Sequence, residues 1–346
     1  MAKGRIRNAI KKKIRGRLSK SSNRTEKASS TSTATTQKPS AGARRLKTVS
    51  KSAAVKVMRR IGTVKEAFHS LDAQLKLHRF KVREFQPKVK FEFKKGHFTV
   101  KTVTTGEELE EVLRLRFDVF VREYKNLKPR AGVDVDKMDY VCDHLIIRDN
   151  REGRIVGTYR LNSNRYSDVY YSSSEFEFEH ILKDAGTVLE LGRAAIDREF
   201  RTGAVISLLW RGIAQYVVAV EADTMIGCAS AKTMEPLEIG LYTHHLESQG
   251  LLRHDLGIQP TKKYKVKTLS QVLSYLEKNP YEYSEKEVDA RVPALMKSYF
   301  KMGFKAYGEP ALDRDFHCID YFIMMRVADL DDAFRRRYFS ANQDED

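Results

Sequence analysis

The sequence predicts an α/β domain with a mixed central sheet flanked by helices, preceded by a disordered basic tail. Strand-like and amphipathic helical runs alternate from residue 98 onward, the order expected of a sheet covered by helices. Two central strands are joined by the short turn 150–153, which predicts an antiparallel hairpin within the sheet. Hydrophobic residues make up 41% of the 346 residues, enough to form the core of such a domain.

Positive charge is concentrated in residues 1–60. This segment holds 19 lysine and arginine residues and a single acidic residue, whereas the rest of the chain has 44 basic and 45 acidic residues. Four aliphatic residues spaced four apart among these charges predict a short basic amphipathic helix: Ile6, Ile10, Ile14 and Leu18. Residues 19–45 are rich in serine and threonine, which predicts a disordered linker. We expect the tail to contact an anionic membrane surface; an inert tail and a nucleic-acid-binding tail are the alternatives.

A lead-in segment at 61–97 is expected to connect the tail to the folded domain. Apolar residues at a spacing of three to four predict a helix over 46–79, and Phe91 and Phe93 alternate with polar residues as in a strand. We expect the main domain to span 98–330 and to be followed by a C-terminal tail at 331–346.

The first half of the domain is predicted to begin with a strand and a helix. Phe98 and Val100 alternate with polar residues, which favours a strand. Thr105 followed by Glu108 is a capping box, so we expect a helix to start there and to continue to about residue 124. The next elements are an acidic loop and the two strands of the hairpin: 128–143, 144–149 and 154–162.

Strand and helix alternate through the second half. The predicted elements are strand 188–196, helix 204–220, strand 224–230, helix 235–250, helix 286–303 and strand 318–327. Residues 253–283 are interpreted as an insertion between two of these units.

The three cysteines, Cys142, Cys228 and Cys318, are far apart and lie in apolar settings, so we expect buried thiols in a reducing compartment. The sequence contains no Cys-x-x-Cys pair and no histidine cluster, the patterns that would predict a metal site. No apolar run reaches the roughly 18 residues that a membrane span needs, and no signal-peptide segment is found at the N-terminus, which favours a cytoplasmic protein.

The order of elements is similar to that of the GNAT acyltransferases. In that family the fourth strand and the helix after it bind the phosphopantetheine or pyrophosphate arm of a thioester donor; here these would be VLELGRAAI and the helix from Ala204. The turn between them, DREFRTGA, resembles the family's phosphate-binding loop but has Arg201 where the first glycine is expected. The resemblance implies that the donor arm contacts this turn, through Arg198, Arg201, Thr202, Gly203 and Ala204.

A closer resemblance is to the bacterial N-acyltransferases of ornithine lipid synthesis, which are related to the acyl-homoserine-lactone synthases. The chain matches them in order over residues 98–327, through LRLRFDVFVRE, VDVDKMDYVCDHLII, GRIVGTYRLN, ELGRAAIDREFRTGAVISLLWRGIA, IGCAS and VPALMKSYFKMGFKAYGEPALDRDFHCIDYFIMM. The resemblance implies transfer of a 3-hydroxyacyl chain from acyl carrier protein to the α-amine of ornithine, giving lyso-ornithine lipid. The donor would arrive on the phosphopantetheine of the carrier protein, and no permanently bound cofactor is implied.

Location and rival functions follow from the same features. We expect the protein to lie on the inner membrane of a bacterium through residues 1–60, with no specific nucleic-acid partner. Alternatives are the same chemistry on another amine such as glycine, tyrosine or lysine, a lactone-type signal synthase, and a non-catalytic binding module tethered by its tail.

The segment around Glu190 is the predicted active-site wall. A carboxylate inside an apolar strand is costly unless it is used, so Glu190 is the candidate for proton acceptor or amine positioner. Arg193, three residues on, would face the opposite side of an ideal strand. A bulge at Gly192 would turn both side chains to one cleft and expose a backbone N–H to an oxyanion. A purely structural Glu190–Arg193 pair is the alternative.

Further substrate-binding residues are suggested by the resemblance and by charge. They are Arg116, Phe120, Asp136, Asp139, Asp143 and Arg160. We expect the three aspartates to bind the ornithine amine that is not acylated, and Arg160 to bind the substrate carboxylate. A solvated acidic turn, and an ion pair between Arg160 and that turn, are the alternatives. Arg198, Arg201 and Arg211 would form a basic rim suited to an acidic carrier protein.

Overall fold

The computed structural model describes residue 78 and residues 80–127, 132–279 and 284–339. The predicted amphipathic helix, the linker at 19–45 and nearly all of the helix predicted over 46–79 lie outside the described residues. No helix in the described part of the chain is both long and apolar enough to cross a bilayer.

A mixed sheet of nine strands forms the centre of the fold, which confirms the predicted class. The strands of the chain are β1 Glu92–Lys95, β2 Phe98–Thr102, β3 Asp143–Asp149, β4 Arg154–Ser163, β5 Phe176–Glu177, β6 Val188–Ile196, β7 Thr224–Ala231, β8 Leu252–Arg253, β9 Gln259–Pro260, β10 Lys305–Asp313 and β11 Cys318–Arg326. Their order in the large sheet is β1-β2-β3-β4-β6-β7-β11-β10-β8, and β5 pairs with β9 separately. The pairs β6–β7 and β8–β10 are parallel, and the others are antiparallel.

Helices flank the sheet. They are α1 Gly106–Phe117, α2 Ala204–Ala219, α3 Pro236–Ser248, α4 Leu269–Lys278, α5 Glu285–Asp289, α6 Ala294–Met302 and α7 Asp332–Tyr338. The segment 253–283, predicted as an insertion, contributes edge strand β8, strand β9 and helix α4.

The N-terminus of α1 forms as predicted, but its C-terminal part does not. The Thr105 side chain accepts a hydrogen bond from the Glu108 N–H at 3.2 Å, while the Glu108 carboxylate binds the Thr104 N–H at 2.8 Å. The α-helix ends at Phe117 and continues as a π-helix over Asp118–Tyr124. Because π-helices are rare and often lie at functional sites, this change of winding marks the segment for attention.

The two faces of the sheet pack against different elements. On the face covered by α2 and α6, Leu191, Leu209 and Tyr299 belong to the main apolar core. The opposite face, covered in part by α1, holds an aromatic cluster with Phe178 and Phe322. We call these the α2 face and the α1 face. Since side chains alternate along a strand, neighbouring residues of β6 and β7 serve opposite faces.

Strands β6 and β7 separate halfway along their length. They pair in parallel from Val188–Thr224 to Leu191–Gly227, and beyond that point neither strand pairs with the other. On its other edge, β6 has one extra residue relative to β4 between Gly192 and Ala195, with Arg193 in a left-handed conformation at φ 50°. The predicted bulge beside Gly192 is therefore present in the backbone, directly after the last residue of β6 that pairs with β7.

Candidate active site

A cavity of about 600 Å³ lies where β6 and β7 separate. Its wall combines residues of both strands with residues of the π-helix and of α6. From the α2 face come largely apolar side chains: Tyr159, Leu191, Ile206, Ala229, Met296 and Tyr299. The strand residues that alternate with these are polar and lie on the α1 face: Arg160, Asn162, Glu190, Cys228, Ser230 and Asp320. The cavity therefore connects an apolar compartment with a polar one through the gap in the sheet.

Glu190 lies at the mouth of this gap and is almost fully buried. Its carboxylate accepts hydrogen bonds from the Tyr171 N–H at 2.8 Å, the Ser172 N–H at 2.8 Å and the Ser172 hydroxyl at 2.7 Å. No ion pair joins Glu190 to Arg193 among the described residues, so the alternative of a structural pair between them is wrong. Glu190 instead holds residues 171–172 against β6.

Arg193 also lines the cavity, as the bulge predicts. One terminal nitrogen donates to Asp136 at 2.9 Å, and the guanidinium lies 4.6 Å from the centre of the Tyr171 ring. Its Nε is buried and has no hydrogen-bond partner among the described residues. One donor of Arg193 is therefore left for a ligand.

Arg160 has a comparable arrangement. Its Nη1 donates to Asp136 at 2.8 Å and to Asp139 at 2.9 Å, so the ion pair that was the alternative for this residue is present. Its Nη2 is buried and lacks a partner in the described part of the chain. The ion pair and the proposed carboxylate contact are thus compatible, because they use different nitrogens.

The predicted acidic loop lies behind the cavity wall. Asp136 caps a short 3-10 helix, Lys137–Tyr140, whose Asp139 is completely buried. Arg116 binds Asp139 at 2.5 Å and Asp134 at 2.6 Å. Asp134, Asp136 and Asp139, with Arg116, Arg160 and Arg193, form what we call the compensated cluster.

This arrangement corrects the prediction that the loop carboxylates bind the substrate amine. Asp136, Asp139 and Arg116 do not line the cavity. Asp139 pairs with Arg116, and Asp136 pairs with Arg160, which does line it. Asp143 is further away: its oxygens accept the N–H groups of Lys88 and Val89 at 2.8 Å each, and the Tyr216 hydroxyl at 3.0 Å.

The turn before α2 reaches the cavity only in part. Gly203, at φ 87°, is the N-cap of α2 and lines the cavity together with Arg201. Arg201 forms a bidentate pair with Glu123 of the π-helix, at 2.5 and 2.9 Å, and also donates to the Ile196 carbonyl. The remaining predicted donor contacts, Arg198, Thr202 and Ala204, are exposed beside the opening. Phe120, predicted from the resemblance, does line the cavity and packs edge-on against Phe316.

A second group of acidic residues was not predicted from the sequence. Asp313 and Asp320 line the cavity on the α1 face, and Glu175 is completely buried close to them. Pairing between β10 and β11 places Asp313 opposite Cys318, two residues before Asp320. We call Glu175, Asp313 and Asp320 the uncompensated cluster, since none of them forms an ion pair with a described residue.

The cysteines are free thiols, as predicted. Cys142 and Cys318 are buried, and Cys228 and Cys318 line the cavity. Burial, together with the nearby acidic groups, raises the pKa of both cavity thiols far above the ordinary value. Because the thiolate is the nucleophilic form, neither thiol is suited to form an acyl-enzyme at neutral pH.

Comparison with known proteins agrees with this fold. Residues 115–211 match the family model described as an acetyltransferase (GNAT) domain. The match spans the π-helix, β3, β4, β6 and the first half of α2, which includes the strand that opens the cavity. The chain is therefore an acyltransferase with a GNAT-type domain.

Full-length relatives give the more particular resemblance. The chain is 28% identical over 249 residues to the L-ornithine N(alpha)-acyltransferase of Rhizobium meliloti (strain 1021), covering 68% of this chain and 81% of that protein. It is 27% identical over 260 residues to the enzyme of the same name from Rhodobacter capsulatus, covering 70% of this chain and 94% of that protein. The resemblance to ornithine acyltransferases predicted from the sequence is confirmed.

Two solved structures are also similar to this chain, at low sequence identity. The CoA-dependent acyl-homoserine lactone synthase BjaI is 17% identical with a TM-score of 0.37, covering 68% of this chain and 84% of that chain. The N-acyl amino acid synthase FeeM from uncultured soil microbes is 8% identical with a TM-score of 0.37, covering 69% of this chain and 94% of that chain.

Proposed function

We propose that this protein transfers a 3-hydroxyacyl chain from acyl carrier protein to the α-amine of ornithine, forming lyso-ornithine lipid. The observation that carries the proposal is the cavity at the separation of β6 and β7, which joins an apolar compartment to a charged one. A fatty thioester suits the apolar side and a charged amino acid suits the polar side. The relatives that carry the name L-ornithine N(alpha)-acyltransferase support this choice of acceptor.

The α2 face is the proposed donor side. The unpaired edges of β6 and β7 offer hydrogen bonds to the amide groups of a phosphopantetheine arm, and the apolar side chains of α6 offer a slot for the acyl chain. Exposed Arg198 and Arg201 beside the opening suit an acidic carrier protein. No permanently bound cofactor is required by this scheme.

The reaction itself is direct aminolysis. Once the α-ammonium has lost a proton to solvent water, its nitrogen attacks the thioester carbonyl carbon and a C–N bond forms. The C–S bond then breaks, and the leaving thiol takes up the second proton released by the nitrogen. Beyond Leu191 the edge of β6 that faces the gap has no strand partner, so its backbone N–H groups are suited to stabilise the oxyanion.

Glu190 is assigned a positioning role in this scheme. Its three hydrogen bonds fix residues 171–172, and Tyr171 in turn packs over the guanidinium of Arg193. A Glu190→Gln variant tests this, because the amide can still accept one bond but presents an NH₂ group to donors. Positioning predicts a moderate fall in kcat with the acidic limb of the pH–rate profile retained. A base role predicts a fall of about 10²–10⁴-fold and loss of that limb.

The proposed activity is tested with purified full-length protein, 3-hydroxyacyl carrier protein and a panel of amino acids. Mass spectrometry of extracted lipids should show N-acyl-ornithine as the main product. Glycine, tyrosine and lysine in the panel examine other acceptors, and S-adenosylmethionine examines a lactone-type synthase. A second series with acyl-coenzyme A compares the two donors. Absence of an acylated product with every amine would overturn the proposal and favour a binding module.

Residues 1–60 are proposed to hold the enzyme on the anionic inner membrane, on the ground of their charge. Flotation of full-length protein with vesicles containing phosphatidylglycerol should show binding at low salt that weakens as salt is raised. Unchanged flotation after deletion of residues 1–60 would contradict this role for the tail.

A further inference from the structure

The uncompensated cluster is assembled from distant parts of the chain. Asp313 ends β10, Asp320 lies on β11, and Glu175 follows the 3-10 helix Ser172–Ser174, whose first residue binds Glu190. Ligand atoms of Asp313, Cys318 and Asp320 lie within 4.8 Å of one another. Two carboxylates this close in a buried site repel each other unless a positive charge or a proton lies between them.

The hydrogen bonds of the cluster leave much of its acceptor capacity unused. Asp320 accepts from the Ser230 hydroxyl and from the Cys318 thiol. One oxygen of Asp313 accepts the N–H groups of Asp315 and Phe316, at 2.7 and 2.9 Å.

Glu175 is the clearest sign that the cluster is a binding site. Its side chain is fully buried, and neither carboxylate oxygen has a hydrogen bond of normal geometry with a described residue, although Tyr171 and Asp320 lie close enough to affect its pKa. An unpartnered carboxylate of this kind costs free energy in the empty protein, so it marks a place where a donor is expected to bind.

The cluster faces two arginines across the same cavity. Arg160 and Arg193, on β4 and β6, each have one buried N–H donor without a described partner. Between the two sides lie Ser172 and Cys228, with the Cys228 sulfur 3.4 Å from the Ser172 hydroxyl that binds Glu190. The polar compartment thus offers unused guanidinium donors on β4 and β6 and carboxylate acceptors on β10 and β11.

This polarity matches an amino acid with a positively charged side chain. Its α-carboxylate would bind the guanidinium groups of Arg160 and Arg193, and its distal ammonium would lie among the carboxylates. The α-amine, which lies next to the α-carboxylate, would then be held near the bulge at Gly192 and the gap in the sheet. An ammonium has three N–H donors, enough to satisfy several acceptors at once.

We propose that Asp313 and Asp320, which line the cavity, bind the distal ammonium of the acceptor, with Glu175 buried behind them as the third acidic group, and that this cluster makes the enzyme select diamino acids. This inference rests on the proposed function for the identity of the reaction, but binding of the amino acid can be measured without acyl transfer.

The test compares ornithine with norvaline, which has the same carbon skeleton without the distal amine. Binding of each amino acid to the full chain is measured by calorimetry, with and without a non-hydrolysable acyl-pantetheine analogue. We expect ornithine to bind at least 100-fold more tightly than norvaline. Asp320→Asn should reduce that ratio at least tenfold by weakening ornithine alone, and Asp313→Asn should act in the same direction. Asp315→Asn, an exposed carboxylate of the same turn, is the matched control and should leave the ratio unchanged.

The possible outcomes separate the two proposals. Selective ornithine binding that depends on Asp320, without acyl transfer to any amine, would uphold this inference and overturn the proposed function. Acylation of ornithine with equal binding of ornithine and norvaline would do the reverse. Equal or absent binding of both amino acids under both conditions overturns the inference. Stoichiometric binding of Zn²⁺ or Mn²⁺ that is lost in Asp320→Asn would assign the cluster to a metal ion and also overturn it.

Discussion

Two acidic clusters lie on either side of the same cavity, and they differ in one respect. The compensated cluster joins three aspartates to three arginines, so that each buried carboxylate has a cationic partner. The uncompensated cluster has three carboxylates and no cation within the described structure. Buried charges persist in proteins when they are paired or used. We infer that the first cluster maintains the fold of the loop, whereas the second is kept for a ligand.

The pKa values of the buried carboxyl groups in the two clusters are shifted in opposite directions. Burial acts to raise the pKa of Asp139, but the charges of Arg116 and Arg160 outweigh it and hold that pKa well below the ordinary value. Burial raises the pKa of Glu175, and the negative charges of Asp320 and Asp313 raise it further. Asp139 is therefore ionised throughout the physiological range, while Glu175 tends to keep its proton in the empty protein. A bound ammonium would reverse that tendency.

Arg116→Leu is the most direct way to break the compensated cluster. It leaves Asp139 buried without its principal partner, and removal of one partner of a buried pair typically costs about 3–5 kcal/mol. Urea denaturation should show that loss in the free energy of unfolding. Arg114→Ala removes an exposed i,i+4 pair with Glu110 on the same helix, and should cost no more than about 0.5 kcal/mol. Equal losses in the two variants would show that the cluster is not a structural element.

Glu175→Gln should have the opposite effect and raise the free energy of unfolding. A carboxyl group whose folded pKa is raised contributes stability below its unfolded pKa of about 4.3, and that contribution is lost as pH rises towards the folded value. Above neutral pH the variant should therefore be more stable than the wild type, by about 1–3 kcal/mol, because glutamine does not ionise and so does not suffer this pH-dependent loss. Urea denaturation at pH 6 and pH 8.5 measures the difference, which should grow with pH.

Ornithine and an exposed neighbour provide the controls for this variant. Saturating ornithine should stabilise the wild type more than Glu175→Gln at pH 8.5, because the ligand supplies the missing cation. Glu177→Gln, exposed two residues away on β5, should have no pH-dependent effect. A Glu175→Gln protein that is less stable at every pH would mean that the carboxylate already has a stabilising partner.

The contrast between the clusters also explains what the sequence could predict. The bulge at Gly192 was predictable because Glu190, Gly192 and Arg193 lie within four residues, and local spacing decides which way they face. The acidic loop was visible as a run of aspartates, but its arginine partners lie up to 57 residues away, so their neutralising effect was not.

The uncompensated cluster left no local signal at all. Glu175 begins the stretch EFEFEH, in which glutamates alternate with phenylalanines, and Asp320 is the one acidic residue of CIDYF; both stretches resemble ordinary half-buried strands. They come together because β11 inserts between β7 and β10, a long-range pairing that periodicity does not specify. The site could therefore be predicted on the β4–β6 side but not on the β10–β11 side.

Arg193→Lys sharpens the comparison from the cationic side of the cavity. Lysine keeps the charge near Asp136 but loses Nε and the planar contact with Tyr171, so the α-carboxylate of the acceptor should be held less well. We expect KM for ornithine to rise about tenfold, equivalent to about 1.4 kcal/mol, with kcat changed much less. Putrescine is ornithine without the carboxylate, and its binding should not respond. Weaker binding of both ligands would place Arg193 outside the carboxylate contact.

Arg201→Ala removes an ion pair at the surface, outside both clusters, and has the smallest expected effect on stability. Arg201 and Glu123 are both about two-fifths exposed, so their bidentate pair should contribute less than about 1 kcal/mol to unfolding. The loss of a positive charge beside the opening should still raise KM for acyl carrier protein a few-fold at low salt, and this effect should disappear at high salt because exposed charges are screened. Arg114→Ala, remote from the cavity wall, controls for net charge. A salt-independent rise in KM would indicate instead that Arg201 acts by holding the π-helix in place over the donor side.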